Sequence, residues 1–206
     1  MVVLVRAGRD QVIINIAGTS GSGKTHLIRE FLSWVGEATC KPQYIAGRKP
    51  PIGYTFGIEG VLFFLMGAYE DADTAGCDTI RDVVQIFDLI REKAKRYHVI
   101  YEGLIVMNHT RGPQLAAEYG KEFVILQLDV PYATCVASIN SRRSARGQGR
   151  LLDKKNTKGN FVRAANYCTK MQAQGARVIK VRRDAALEKL LELVEGAVDA
   201  NLSSRN

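Results

Sequence analysis

The chain of 206 residues is predicted to form a three-layer α/β sandwich, a mostly parallel sheet with helices on both faces. Three observations predict it. Short β-branched apolar runs alternate with segments of 3.6-residue apolar spacing along most of the chain, the order expected of parallel strands joined by crossover helices. The first of these runs ends in a glycine-rich loop that leads directly into a helical stripe. The apolar fraction is 46%, with no low-complexity tract or internal repeat, so one compact domain over residues 1–206 is expected, with segments inserted over the sheet edge.

Gln11–Ala17, QVIINIA, reads as a buried parallel strand. Beyond it Leu27, Ile28, Phe31, Leu32 and Val35 fall on one helical face. From residue 36 to 68, Pro42, Pro50 and Pro51 mix with glycines and aromatics, a composition of short strands and tight turns such as a hairpin. Over Thr79–Tyr97, Ile80, Val83, Val84, Phe87, Ile90 and Ala94 form a long amphipathic stripe, with Asp78 as its N-cap. His98–Met107 is a second buried strand carrying one acid, Glu102, and a short helix from about Gly112 to Tyr119 leads to a third, Phe123–Val130. Pro131 opens a helix that ends in NSRRSARGQGR; a loop containing KKNTKGN follows, then a helix over Phe161–Gln174. A strand at Ala176–Val181 and a helix over Ala185–Ala200 complete the series.

The net charge of +8 is unevenly spread. Residues Arg142 to Arg183 hold thirteen Lys or Arg and one acid, Asp153, whereas the rest of the chain is net negative and Tyr69–Asp78, YEDADTAGCD, is locally acidic. A segment this basic is a solvated surface or faces a polyanion, either nucleotide phosphates or a nucleic-acid backbone. Cys40, Cys77, Cys135 and Cys168 form no CxxC pair, so neither a disulfide framework nor a zinc site is indicated. The longest apolar run, VLFFLM, falls far short of the roughly 18 residues that a bilayer span needs. Arg6, Arg9 and Asp10 break the N-terminus too early for a signal peptide. A soluble, cytoplasmic protein with no membrane partner is expected, and its oligomeric state leaves no mark in the sequence.

GTSGSGKT, Gly18 to Thr25, carries the sharpest chemical signal. Gly18, Gly21 and Gly23 permit backbone angles closed to other residues, so the N–H groups of a loop that also contains Thr19, Ser20 and Ser22 can turn inward on a phosphate. The helix starting near Lys24 aims its positive dipole end at the same point. Lys24 reaches the terminal phosphates, and Thr25 gives a hydroxyl to the Mg²⁺ that bridges them. Strand, loop and helix together predict a P-loop NTPase-type sandwich with a nucleotide as its ligand. No NKxD motif marks a switch GTPase and no strand ends in the Asp-Glu pair of a motor ATPase. Glu102, in IYEGLI, either helps hold Mg²⁺ through water, orients an acceptor hydroxyl, or is a structural acid satisfied by a lysine.

The helix after LDVP places Arg142, Arg143 and Arg146 near its end, and it resembles the lid of small P-loop kinases of the nucleoside and nucleotide kinase group, with residues 131–160 as the lid region. The resemblance implies that Arg142 and Arg146, four apart on one helix face, close over the migrating phosphoryl. Arg143, about 100° round the helix, is placed to stack on the adenine. It also implies that residues 36–78 cover the acceptor. Within them GAYEDADTAGCDTI resembles, chiefly at Gly76, Cys77, Asp78, Thr79 and Ile80, bacteriophage P-loop kinases that act on 5-hydroxymethyluracil in DNA. That family implies Asp78 as general base, ATP and Mg²⁺ as cofactors, and DNA with a flipped modified base as partner. Arg150, Lys154, Lys155, Lys158 and Arg163 would then extend the lid into a track for a polynucleotide. Tyr54, Phe56, Tyr69 and Tyr101 are candidate stacking aromatics, and His109 and Arg111 are candidates at the sheet's carboxyl edge. A kinase of a free nucleoside, nucleotide or small metabolite, and a nucleic-acid-binding ATPase without an acceptor, remain as alternatives.

Overall fold

The computed structural model describes residues 11–70, 75–148, 152 and 154–204. Arg6, Arg9, Asp10, Arg150 and Asp153, residues 71–74 of the acidic stretch, and the side chains of Lys154 and Lys155 fall outside the described residues. Strands β1 (Ile13–Ala17), β2 (Lys41–Gln43), β3 (Gly53–Ile58), β4 (Val61–Met66), β5 (His98–Glu102), β6 (Phe123–Leu128) and β7 (Arg177–Val181) form one sheet in the order β2-β3-β4-β5-β1-β6-β7. The last five in that order run parallel, and β3 and β2 extend one edge antiparallel. The chain moves from β1 out to β4 and β5 on one side, then crosses to β6 and β7 on the other. The carboxyl end of β1 therefore lies where the strand order reverses, the place where open α/β sheets bind ligands.

Among the described residues six α-helices, α1 (Lys24–Val35), α2 (Val83–Lys93), α3 (Arg111–Tyr119), α4 (Tyr132–Ala145), α5 (Lys154–Ala173) and α6 (Ala186–Ser203), accompany the sheet. β1 shows how the layers are built. All five of its residues are buried. Ile13 and Ala17 belong to the core formed with Phe87, Leu115 and Met171 of α2, α3 and α5, while Ile14 and Ile16 belong to that formed with Ile28, Phe31, Leu190 and Val194 of α1 and α6. A strand covered on both faces needs apolar residues at nearly every position rather than alternate ones. Asn15 is the buried polar exception and is satisfied: Tyr167 of α5 donates its hydroxyl to Asn15 Oδ1 (3.2 Å), and Asn15 Nδ2 donates to the Tyr101 carbonyl (3.4 Å).

Three boundaries differ from those the sequence predicts. The helix expected over Thr79–Tyr97 begins at Val83, because Arg81 takes a φ of 68° and a right-handed helix cannot run through that conformation. Asp82 rather than Asp78 is its N-cap, accepting the N–H groups of Val84 (2.9 Å) and Gln85 (3.2 Å). Asp78 sits four residues earlier, in a 3-10 turn over Cys77–Thr79. The strand expected to reach Met107 stops at Glu102, since the N–H groups of Leu104 and Ile105 go to the Asp78 carboxylate and not to a neighbouring strand. The segment KKNTKGN, expected as loop, is helical from Lys154. Its weak formers are overridden by packing: Thr157 is buried, and Phe161 stands edge-on to Tyr132 of α4 with ring centroids 5.6 Å apart. No described helix is long and apolar enough to cross a membrane. Replacing Asp82 with alanine is expected to lower the unfolding free energy by about 1 kcal/mol, read as a shift in the urea midpoint; an unchanged midpoint would show that this cap does not hold α2.

Candidate active site

The loop between β1 and α1 borders a cavity of about 540 Å³, to which it contributes Ser20, Gly21, Gly23, Lys24 and Thr25. Gly21 has a φ of 78°, and a Cβ there would stand 2.4 Å from the Cys135 carbonyl oxygen of α4, so glycine alone fits. α1 begins without a side-chain cap. Its first-turn N–H groups have no intrahelical partners, and an anion is their natural one. Thr19 and Ser22 are also buried there, with hydroxyls that meet no hydrogen-bond partner among the described residues. Lys24, only 7% exposed, donates from Nζ to the carbonyls of Gly18 (2.9 Å) and Thr19 (3.2 Å). The loop thus holds its own ammonium at the point where a phosphate would meet it.

The register of β1 with β5, which pairs Ile16 with Glu102, sets that acid beside the loop. Glu102 is 2% exposed and accepts the Thr25 hydroxyl at 3.1 Å. Burial pushes its carboxyl up to about 7; Lys24 pulls it down, Asp78 adds to the rise, and the Thr25 hydrogen bond and Arg29 pull it down further. Asp78 lines the same cavity, with its carboxylate anchored by the N–H groups of Leu104 (3.2 Å) and Ile105 (3.0 Å). Its turn can come this close because of Gly76, where a Cβ would lie 2.7 Å from Glu102 Oε1. Thr79 fastens the turn from behind, donating to the Gly76 carbonyl (2.7 Å) and accepting from Ala68 N–H (3.3 Å) and Arg48 (3.1 Å). Thr25 and Glu102 offer adjacent hard oxygen donors of the kind Mg²⁺ takes. Among the described residues no group of three His, Cys, Asp or Glu could hold a metal ion, so these two would share it with phosphate and water oxygens.

Of the three arginines at the end of α4, Arg142 lines the cavity, whereas Arg143 and Arg146, the latter just past the helix, are half-buried and do not line it. Two cations that the motifs do not single out are present. Arg183, just past β7, donates to the carbonyls of Gly21 (2.6 Å) and Ser22 (3.0 Å) and reaches Ser138 Oγ of α4 at 3.4 Å. Its signal in the sequence is its place immediately after a parallel strand, diluted by the cations around it. Arg29, on α1, lines the cavity and donates to the Tyr69 carbonyl (3.3 Å).

Other candidates serve the fold. His109 accepts the Arg111 N–H (3.2 Å) and stacks on Phe87 at 5.8 Å, and Arg111 pairs with Asp88 at 2.5 Å. Phe56 stacks on Phe63 with centroids 5.5 Å apart, and Tyr101 is fully buried. Tyr54 and Tyr69 instead line a second cavity. Burial holds the Cys77 thiol well above its ordinary range, which keeps it protonated and unreactive. Lys158 and Arg163 are exposed on α5. Arg177 begins β7 and Arg183 follows its end, so the charge of the basic segment is divided between opposite edges of the sheet.

Glu102 gives the site a measurable signature. Its carboxyl titrates near 4.5 when unfolded and near 7 when folded, so between these values the native chain holds the extra proton and stability falls as pH rises. The difference in unfolding free energy between wild type and Glu102→Gln should therefore change by on the order of 3 kcal/mol across that window, with the wild type losing relative stability toward pH 7. A difference that stays flat with pH in urea titrations would contradict the burial of this acid.

No protein-family model matches the chain. A 5-hmdU DNA kinase of Pseudomonas phage PaMx11 is 35% identical over 188 residues, which cover 90% of this chain and 98% of that protein. Similarity of this extent spans nearly the whole of both proteins, and the chain belongs to the 5-hmdU DNA kinase family.

Proposed function

We propose that the chain is an ATP-dependent kinase that moves the γ-phosphoryl of ATP to the 5-hydroxymethyl oxygen of 5-hydroxymethyluracil in DNA. The observation that carries this reading is the meeting of Lys24, Thr25, Glu102, Asp78 and Arg142 around one cavity, in a chain whose relative is a 5-hmdU DNA kinase. The loop N–H groups and Lys24 receive the β- and γ-phosphates. The neighbouring cavity, of about 870 Å³, shares His26 and Arg183 with the first and has room for the base of the nucleotide. Held by Thr25 and by Glu102, directly or through water, Mg²⁺ would neutralise charge on the phosphate oxygens.

Asp78 acts as general base. The acceptor oxygen bonds to the γ-phosphorus, the bond from that phosphorus to the bridging oxygen of ADP breaks, and the hydroxyl proton passes to the Asp78 carboxylate. Its two backbone N–H partners keep the carboxylate aimed while leaving lone pairs for that proton. Arg142 offsets the charge on the migrating group. In this reading residues 131–160 form the lid and 36–78 cover the acceptor within one domain. Arg146 and Arg143 reach the nucleotide when α4 closes. The +8 net charge suits a polyanionic substrate.

Incubation with γ-labelled ATP, Mg²⁺ and an oligonucleotide containing 5-hydroxymethyluracil should label the DNA, with an apparent affinity that weakens steeply between two salt concentrations. Asp78→Asn should keep ATP binding and lose transfer by about 10²- to 10⁴-fold; Lys24→Ala should impair both. Label confined to free nucleosides or small hydroxylated compounds, or DNA-stimulated release of phosphate with unlabelled DNA, would overturn the proposal in favour of the two alternatives.

A further inference from the structure

A second cavity, of about 480 Å³, lies between Arg29 and Leu32 of α1, Cys40, Tyr54 of β3, and Tyr69 and Glu70 just beyond β4. Its size falls within the range of small-molecule sites, about 300–1,000 Å³. Arg29 lines both this cavity and the phosphate cavity. It donates to the Tyr69 carbonyl (3.3 Å) and its charge bears on Glu102, so the guanidinium stands between the second cavity and the reacting centre. Tyr69, 5% exposed, is close enough to Glu102 and Asp78 for both to act on its hydroxyl.

The walls of this cavity are aromatic and its polar groups are fixed. The rings of Tyr54 and Tyr69 lie 6.3 Å apart at 45°. Tyr54 donates its hydroxyl to Glu70 Oε1 and accepts the Tyr69 N–H at 3.3 Å, and that N–H also meets Glu70 Oε2 at 3.1 Å. These contacts hold the Glu70 carboxylate in place while it remains exposed to solvent. An ionised carboxylate only accepts hydrogen bonds, and a guanidinium only donates.

Along one edge, 5-hydroxymethyluracil presents a ring N–H, then a carbonyl, then the hydroxymethyl group. That order matches Glu70, then Arg29, then Asp78. Cytosine reverses the first two groups, turning a bare ring nitrogen toward the carboxylate and an amino group toward the guanidinium, and each mismatch leaves polar groups unpaired. The same edge is the pairing edge of the base, so recognition here requires the base to leave the duplex. Resting on the kinase reading above, we propose that this cavity seats the acceptor base: Tyr54 and Tyr69 form its aromatic wall, Glu70 accepts the ring N–H, and Arg29 donates to the carbonyl beside the hydroxymethyl group.

The test uses the full chain, γ-labelled ATP, and two oligonucleotides that differ only in carrying one 5-hydroxymethyluracil or one 5-hydroxymethylcytosine. Wild type should label the uracil form preferentially. Leu32→Trp, which fills the cavity, should raise the KM for that oligonucleotide about tenfold or more with ATP affinity unchanged by calorimetry. Glu70→Gln, whose amide donates as well as accepts, should reduce the uracil-over-cytosine ratio of kcat/KM about tenfold or more. Should Leu32→Trp fail to fold, Glu70→Gln at its exposed position decides alone. Wild-type labelling with an unchanged ratio in Glu70→Gln overturns the pocket assignment and leaves the kinase reading standing. No labelling of either oligonucleotide by wild type overturns the kinase reading and this inference together.

Discussion

Parallel pairing of β1 with β5 sets Ile16 beside Glu102, and the arrangement of the site depends on it. β1 delivers the glycine loop and β5 delivers the acid, so the Thr25 hydroxyl at the start of α1 meets Glu102 across the boundary between two strands. Asp78 joins them because its carboxylate takes up the N–H groups of the turn that follows β5. The other wall comes from beyond the reversal of strand order: α4 after β6 contributes Arg142, and the end of β7 contributes Arg183. Five segments distant in the chain meet at one edge, four of them because their strands are neighbours in the sheet and Asp78 because its carboxylate is bonded to the turn after β5.

The electrostatics of this edge are poised for a polyanion. Two carboxylates share the cavity with Lys24, Arg29, Arg142 and Arg183. Lys24 is already desolvated and bonded to two carbonyls, so a phosphate would exchange neutral acceptors for charged ones, which bind an ammonium more strongly. Arg183 is bonded to the loop carbonyls of Gly21 and Ser22, a placement that braces the loop from outside. Burial above all, and then the Asp78 carboxylate, raise the energy of ionising Glu102, and a cation held at Thr25 would relieve that.

What the sequence conveys follows from whether a feature is set locally. The loop from Gly18 to Thr25, the strand before it and the helix after it are readable because glycine angles, β-branched runs and helical spacing act over a few residues. The start of α2 is not. Its spacing points to Asp78 as the cap, but that carboxylate is taken up by the N–H groups of Leu104 and Ile105, the former 26 residues away, and the left-handed Arg81 moves the helix start to Asp82. The first turns of α5 are likewise unreadable, since KKNTKGN forms helix only because Thr157 and Phe161 are packed. Arg183 is hidden for a different reason: a cation among many cations has no spacing to distinguish it, and only its place after β7 does so. Of the arginines the sequence groups together, Arg142 lines the cavity and Arg143 and Arg146 do not, a difference that spacing along one helix does not reveal.

The most direct test of the account is a crystal structure with Mg²⁺ and a non-hydrolysable ATP analogue. The triphosphate should lie inside the glycine loop, with Lys24 Nζ moved from the carbonyls of Gly18 and Thr19 to the terminal phosphates and the hydroxyl of Thr25 released from Glu102. A triphosphate bound elsewhere, or a loop still closed on its own lysine at saturating nucleotide, would contradict it.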